Sequence, residues 1–84
     1  MAEQIFVYET RLLGSDGRNY RARCLGESQP DGTWIGWLEF RPVDGSLPVI
    51  RTDRETSQPN REALAYWATG LEPLYLEGAF ARAR

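Results

Sequence analysis

The fold is decided by residues 20–43, which read YRARCLGESQPDGTWIGWLEFRPV. Two runs of alternating side chains flank residues 29–32, Gln-Pro-Asp-Gly. Proline presets φ in such a segment, and Asp-Gly suits the closing position of a tight turn. Alternation at a period of two is typical of strands whose two faces meet different surroundings. The stretch therefore predicts an antiparallel hairpin.

Matching the apolar faces of the two strands predicts the register of this hairpin. The match pairs Cys24 with Leu38 on the face that is expected to lie against the core. The same register sets Arg23 opposite Glu39 on the other face, where an exposed pair of opposite charges contributes about 0.2–1 kcal/mol. The apolar pattern and the charge pattern therefore agree on one register.

Further elements on both sides of the hairpin predict an α+β fold: a four-stranded antiparallel β-meander followed by a C-terminal helix packed on one face, with a possible second short helix. The expected strands are about 4–13, 18–26, 33–43 and 49–52, and the expected helices are about 58–69 and 73–82. These elements form a single domain, 1–84, because a chain of 84 residues is long enough for one domain and no more.

Both predicted helices rest on apolar side chains at helical spacing. In the first helix, Ser57 is the expected cap, Gly70 is the expected stop, and the stripe facing the sheet is Leu64, Trp67, Ala68 and Leu71. The period after Pro73 also fits a strand, but Ala, Leu, Glu and Arg dominate that segment and favour helix. Its expected buried stripe is Leu74, Tyr75, Gly78 and Ala79.

Composition limits the class of protein. The net charge is −2, and all ten basic residues are arginine. Domains that bind polyanions are usually basic, so net acidity disfavours nucleic acid as a partner. A lone cysteine, Cys24, suits a reducing compartment. The first residues lack the charge of a signal peptide, and no apolar run reaches membrane-span length. We therefore expect a cytoplasmic protein without a membrane partner.

The residues that carry chemistry are sparse. The chain has no histidine, and histidine is the commonest general base and metal ligand. Cys24 would need a neighbouring base to act as a nucleophile, and it falls in mid-strand on the inward face, where a small buried hydrophobe is the better interpretation. The glycines fall mostly in turns rather than in a phosphate-binding loop. We expect no enzyme activity, no metal and no cofactor.

The sheet face opposite the helix is the candidate interaction face, because the alternation places aromatic, aliphatic and arginine side chains there together. Its expected members are Phe6, Tyr8, Arg21, Arg23, Leu25, Ile35, Trp37 and Arg41. Aromatic and arginine enrichment is typical of protein–protein interface cores, which favours homodimerisation or capture of a protein partner. Stacking of single-stranded nucleic acid on the same face is the alternative. A third interpretation is that the C-terminal segment folds back and covers this face.

Three segments resemble the N-domains of HicB-type antitoxins. They are Tyr20-Arg-Ala-Arg-Cys, Asp31-Gly-Thr-Trp-Ile-Gly-Trp-Leu-Glu-Phe and Asn60-Arg-Glu-Ala-Leu-Ala-Tyr-Trp-Ala. Those domains have a strand, an Asp-Gly turn, a strand, a third short strand and a helix. The resemblance implies a small regulatory module that binds a protein partner, often as an oligomer, and it implies no particular site residues. The chain is also similar to short bacterial proteins that carry no assigned activity.

Overall fold

The computed structural model describes residues 1–84 as one antiparallel sheet followed by two helices. The elements are β1 (Glu3–Leu13), β2 (Asn19–Ser28), β3 (Trp34–Pro42), β4 (Ile50–Arg51), β5 (Thr56–Gln58), α1 (Arg61–Thr69) and α2 (Pro73–Arg82). The predicted α+β fold, with helices packed on one face of an antiparallel sheet, is confirmed. Neither helix has the length and apolar character that crossing a membrane requires.

The sheet has five strands rather than four. The strands β1, β2 and β3 are neighbours in that order, and both β4 and β5 pair antiparallel with the far edge of β3. Between them, Thr52 donates its backbone N–H to the Leu38 carbonyl at 2.9 Å and Glu55 donates to Gly36 at 2.8 Å. The fifth strand was not predicted, because the Ser and Pro of residues 56–59 also fit the start of a helix.

The hairpin register is confirmed. Cys24 lies opposite Leu38, and Arg23 lies opposite Glu39 with 2.7 Å between Nε and Oε1. The core lies between the inward face of the sheet and the two helices. Its buried members are Tyr8, Leu12, Tyr20, Ala22, Cys24, Leu38, Phe40, Leu64, Ala68, Leu76 and Ala79.

Helix α1 packs on the sheet through a pair of glycines. Gly26 and Gly36 lie directly opposite each other on β2 and β3. A Cβ atom at Gly26 would lie 2.5 Å from Leu64 Cδ2, and one at Gly36 would lie 2.6 Å from Leu64 Cδ1. Both distances are far shorter than carbon–carbon contact, so only glycine lets the fully buried Leu64 side chain reach the backbone of the sheet.

The predicted stripe of α1 is confirmed, but its predicted cap is wrong. Leu64 and Ala68 are buried, and Trp67 and Leu71 pack partly buried against the core. The N-cap is Asn60, whose Oδ1 accepts from the backbone N–H of Ala63 at 2.8 Å, and not Ser57. Ser57 belongs to β5 instead, where it pairs with β3.

Helix α2 confirms the helical interpretation of its segment, with a different buried face. Leu76, Ala79 and Phe80 face the core, whereas Leu74 is 79% exposed and Gly78 is exposed. The ring of Phe80 sets this rotation, because it packs 5.1 Å from the Phe40 ring and 5.0 Å from the Tyr20 ring, centroid to centroid. The predicted stripe of Leu74, Tyr75, Gly78 and Ala79 is therefore wrong in phase, and of its members only Ala79 is buried.

Helix α2 is also joined to the segment before β5 by a carboxylate. Glu55 Oε1 accepts from the Tyr75 hydroxyl and from Arg82 Nη2, each at 2.6 Å. Burial raises the pKa of the Glu55 carboxyl, but these two bonds outweigh it, so that its pKa lies below the ordinary value. Burial and the bond to Glu55 together raise the pKa of Tyr75 to about 12.

The outer face of the sheet as a candidate binding site

We call the sheet face opposite the helices the outer face. The register arranges its side chains in rows that cross the strands. The first row is Arg11, Arg21 and Arg41; the second is Val7, Arg23, Glu39 and Arg51; the third is Gln4, Leu25 and Trp37. Five of the ten arginines therefore lie on one face of a chain whose net charge is −2, and Glu39 is the one carboxylate within these rows.

The first of these rows, which we call the arginine row, places like charges directly opposite each other. Arg11 faces Arg21 on the neighbouring strand, and Arg21 faces Arg41 on the next. Neither Arg11 nor Arg21 makes an ion pair. Directly opposed side chains are about 5 Å apart at Cβ, and like charges at that distance destabilise a sheet. Arg11 and Arg21 of the arginine row therefore present positive charge that no ion pair compensates.

Glu39 compensates the neighbouring arginines instead. Its Oε1 accepts from Arg23 Nε at 2.7 Å and from Arg41 Nη2 at 3.2 Å. Burial raises the pKa of the Glu39 carboxyl, but the hydrogen bonds and charges of the two arginines outweigh it, and its pKa lies below the ordinary value. Glu39 is therefore ionised at neutral pH, and its ion pairs are with Arg23 and Arg41 and not with Arg21.

Two apolar members of the predicted interaction face lie on the outer face but are covered. Leu25 is 8% exposed and Trp37 is 9% exposed. The Arg51 guanidinium lies over the Trp37 ring at 5.7 Å from its centroid. Trp37 lines one surface depression together with Ala2 and residues 51–54. Ile35, in the next row, is half-buried. These side chains are packed by the chain itself, so the exposed part of the outer face is arginine and not aromatic.

Phe6 and Tyr8 do not lie on the outer face, which corrects the prediction for β1. Tyr8 is buried in the core, and its hydroxyl donates to the Ala68 carbonyl of α1 at 2.7 Å. Phe6 packs edge-on against Tyr8 with 4.9 Å between ring centroids and lies opposite Cys24. Burial raises the pKa of the Tyr8 hydroxyl above its ordinary value.

The cause of this error is the phase of β1. Its even positions carry Phe6, Tyr8 and Leu12, a more apolar set than its odd positions, and this asymmetry is the signal that places them inward. Between Gln4 and Phe6 the strand also has one more residue than β2 has between Leu25 and Cys24, so Gln4 lies on the outer face and Phe6 on the inward face although both positions are even. Such a bulge breaks simple alternation.

Sequence reasoning missed Arg11 and Arg51 as members of this face. Arg11 is brought to the outer face by the inverted phase of β1, because it pairs with Arg21 while Leu12 points to the core. Arg51 is brought there by the two-residue strand β4, which is too short to show a period in sequence. The inward position of the even residues of β1 could have been predicted from their apolar character, whereas the placement of β4 could not.

Arg21 borders two shallow depressions of the surface. One, of about 250 Å³, is lined by Gln4, Val7, Arg21, Ala22, Arg23 and Arg41. The other, of about 660 Å³, follows the bulged segment of β1 and is lined by residues 6–11 and Arg21. Arg21 therefore stands between two concave areas, with Arg11 beside one and Arg41 beside the other.

The lone cysteine lies away from the outer face. Cys24 is fully buried in the core, and burial raises the pKa of its thiol to about 12, so that it stays protonated at neutral pH. No three side chains among Cys, Asp and Glu come together in a way that would hold a metal ion. The outer face offers several guanidinium groups, and each planar guanidinium binds a carboxylate or a phosphate through paired hydrogen bonds.

Comparison of the chain with protein-family models, with curated proteins and with solved structures found no match.

Proposed function

We propose that the protein is a non-catalytic binding module that contacts other protein molecules through the outer face of its sheet. The observation that carries the proposal is the arginine row. Arg11, Arg21 and Arg41 oppose one another across three strands, and the first two have no carboxylate partner. Opposed like charges lower the stability of a sheet. An arrangement that costs stability and remains exposed is accounted for by what it binds.

The absence of a reactive group within the core supports a non-catalytic role. The thiol of Cys24 has neither exposure nor a lowered pKa, and therefore lacks the features of a nucleophile. A free, reduced cysteine also supports a cytoplasmic location. The resemblance to HicB-type antitoxin N-domains implies the same kind of role, a regulatory module that acts by contact.

Self-association is one form that the proposed contact takes, and light scattering over a dilution series tests it. A mass that rises with concentration supports a homodimer. A constant monomer mass assigns the outer face to a different protein. The isologous arrangement is opposed by charge, since a two-fold axis through the outer face brings the arginine row against its own copy.

Single-stranded nucleic acid is the alternative occupant, and the arginine row favours it through phosphate contacts. The stacking side chains that such binding uses are lacking on the exposed part of the face, because Tyr8 is in the core and Trp37 lies under Arg51. This alternative predicts affinity for mixed-sequence oligonucleotides that falls steeply with salt. No binding at low salt, measured by fluorescence anisotropy, would remove it.

A pair of charge reversals on β2 tests the proposed function without knowledge of the partner. Arg21→Glu places a carboxylate between Arg11 and Arg41, and we expect the free energy of unfolding to rise by about 0.5 kcal/mol. Arg23→Glu makes the same charge change on the same strand and face but removes the partner of Glu39. We expect that control to lose about 1 kcal/mol.

Urea denaturation followed by tryptophan fluorescence measures both variants. If Arg21→Glu raises the free energy of unfolding and Arg23→Glu lowers it, the result supports a face whose arginine row lowers stability and serves binding. If Arg21→Glu is less stable than the wild type, the arginine row contributes to the fold and the proposal fails.

A further inference from the structure

Exposed apolar side chains lie beside the arginine row. Leu13 and Val43 stand one row further along β1 and β3, on either side of Asn19, and Leu13 is 72% exposed. Val7 stands one row away in the other direction and is also exposed. The uncompensated positive charge therefore lies between apolar side chains rather than in a wholly polar surface.

The spacing of these rows matches that of an extended chain. Neighbouring rows on one face of a sheet are two residues apart, which is about 7 Å along the strand. Side chains i, i+2 and i+4 of an extended segment have the same spacing. A segment that lies along the strands would therefore present successive same-side residues to Leu13 with Val43, to the arginine row, and to Arg23 with Val7.

We propose that the outer face receives an acidic, extended segment of a different protein, with an apolar side chain opposite Leu13 and Val43 and a carboxylate opposite the arginine row. The inference rests on the proposed function and names its partner by chemistry. Charge complementarity selects the occupant. Arg21 has two exposed arginine neighbours and makes no ion pair, although Glu9 lines one of the two depressions beside it. A carboxylate bound there forms paired hydrogen bonds with guanidinium groups.

The other occupants fit this arrangement less well. A second copy related by a two-fold axis would bring positive charge against positive charge. A nucleic acid strand would satisfy the arginines but has no aliphatic group to cover Leu13 and Val43, and the face offers it no exposed aromatic ring. An acidic peptide with an apolar residue satisfies both parts of the surface.

Chemical-shift mapping of the ¹⁵N-labelled protein with short synthetic peptides tests the inference. The probe contains one Leu-Ser-Glu-Ser-Glu segment, which puts leucine and both glutamates on the same side of an extended chain. The neutral control contains Leu-Ser-Gln-Ser-Gln in its place, and the control without an apolar residue contains Ser-Ser-Glu-Ser-Glu. We expect the first peptide to shift backbone amides of β1 and β2 around Arg21, and the shifts to disappear at about 1 M salt, where the Debye length is about 3 Å.

Matched charge reversals assign the effect to the arginine row. We expect Arg21→Glu to weaken binding of the acidic peptide about tenfold, which corresponds to about 1.4 kcal/mol. Arg61→Glu makes the same change of net charge in the first turn of α1, and we expect it to leave the affinity unchanged within about twofold. Loss of the leucine should weaken binding about threefold or more.

The outcomes separate the inference from the proposed function. Equal binding of the neutral peptide on the outer face overturns the acidic partner but keeps the face as a protein-binding site. An oligonucleotide that binds more tightly than the acidic peptide overturns the inference in favour of nucleic acid. A molecular mass that rises with concentration, together with shifts on the outer face, overturns it in favour of a second copy. If no peptide shifts this face, the inference fails, and the proposed function fails with it when Arg21→Glu is also destabilised.

Discussion

The two faces of the sheet bury apolar side chains by different means. On the inward face, helices supply a second layer, and Leu64 reaches the backbone between Gly26 and Gly36. On the outer face, the Arg51 guanidinium lies over Trp37, and Leu25 is buried opposite Trp37, with no second layer of secondary structure. Packing on the inward face therefore depends on the complementary shapes of α1 and the sheet. The outer face presents charged side chains, which under the proposed function are the groups that a partner binds.

The largest effect is expected where the inward face is most closely packed. Leu64→Ala removes a fully buried side chain from a site that glycines shape around it, and we expect a loss of about 3 kcal/mol in the free energy of unfolding. Leu74→Ala is the matched control on α2, where the side chain is exposed, and should change stability by less than about 0.5 kcal/mol. Chemical denaturation measures both. Similar losses in the two variants would contradict the packing described for α1.

A smaller effect, of the same origin, is expected from adding a methyl group to the sheet. Gly36→Ala should lose about 2 kcal/mol, because its Cβ would lie 2.6 Å from a side chain that has no space to move. Gly78→Ala makes the same change on the exposed side of α2, where the nearest atom is Arg82 Nη1 at 3.7 Å. There we expect a gain of about 0.5–1 kcal/mol from helix propensity, measured by thermal unfolding. If both variants change the stability in the same direction, the result would contradict the close contact between Gly36 and Leu64.

The smallest effect belongs to the outer face and is electrostatic. Glu39→Gln should lose about 1 kcal/mol at neutral pH, because Arg23 and Arg41 lose their acceptor charge. The pKa of Glu39 is lowered in the folded state, so its contribution is complete above the unfolded value of about 4.3 and is lost as pH falls through the folded value. The stabilities of wild type and variant should therefore converge in acid.

Glu39→Gln also tests the binding role of the outer face, because it removes the carboxylate that lies beside the arginine row. We expect Glu39→Gln to bind the acidic peptide more tightly while it is less stable, the reverse of Arg21→Glu. If stability and peptide affinity rise together or fall together in each variant, the comparison would show that binding on the outer face is not gained at the expense of stability.

The hairpin could be predicted from sequence because two independent patterns agree there. The apolar alternation and the Arg23–Glu39 pair specify one register, and that register is the one observed. The stripe of α1 was also predictable, since Leu64 and Ala68 recur at helical spacing beside good cap and stop residues. Local chemistry and long-range packing coincide in both segments.

Other elements depended on packing that has no local signal. The inward rotation of α2 is set by Phe80 against Phe40, two residues forty positions apart in the chain. The placement of Arg51 depends on β4, a strand of two residues that is too short to show a period. The phase of β1, in contrast, had a local signal in its more apolar even positions and was misread. As a result, the candidate site was predicted as an aromatic face with arginines, whereas the exposed surface is an arginine row with aliphatic neighbours.

The glycine pair beneath α1 also restricts how the hairpin can misassemble. A slip of β3 by two residues would keep every side chain on its own face, so alternation alone does not forbid it. In the slipped register Gly26 would lie opposite Leu38 or Trp34, and the opening that receives Leu64 would be half filled by a side chain. Helix α1 therefore packs fully only on a sheet in which Gly26 lies opposite Gly36. A sheet that formed in the wrong register would leave Leu64 without its buried site.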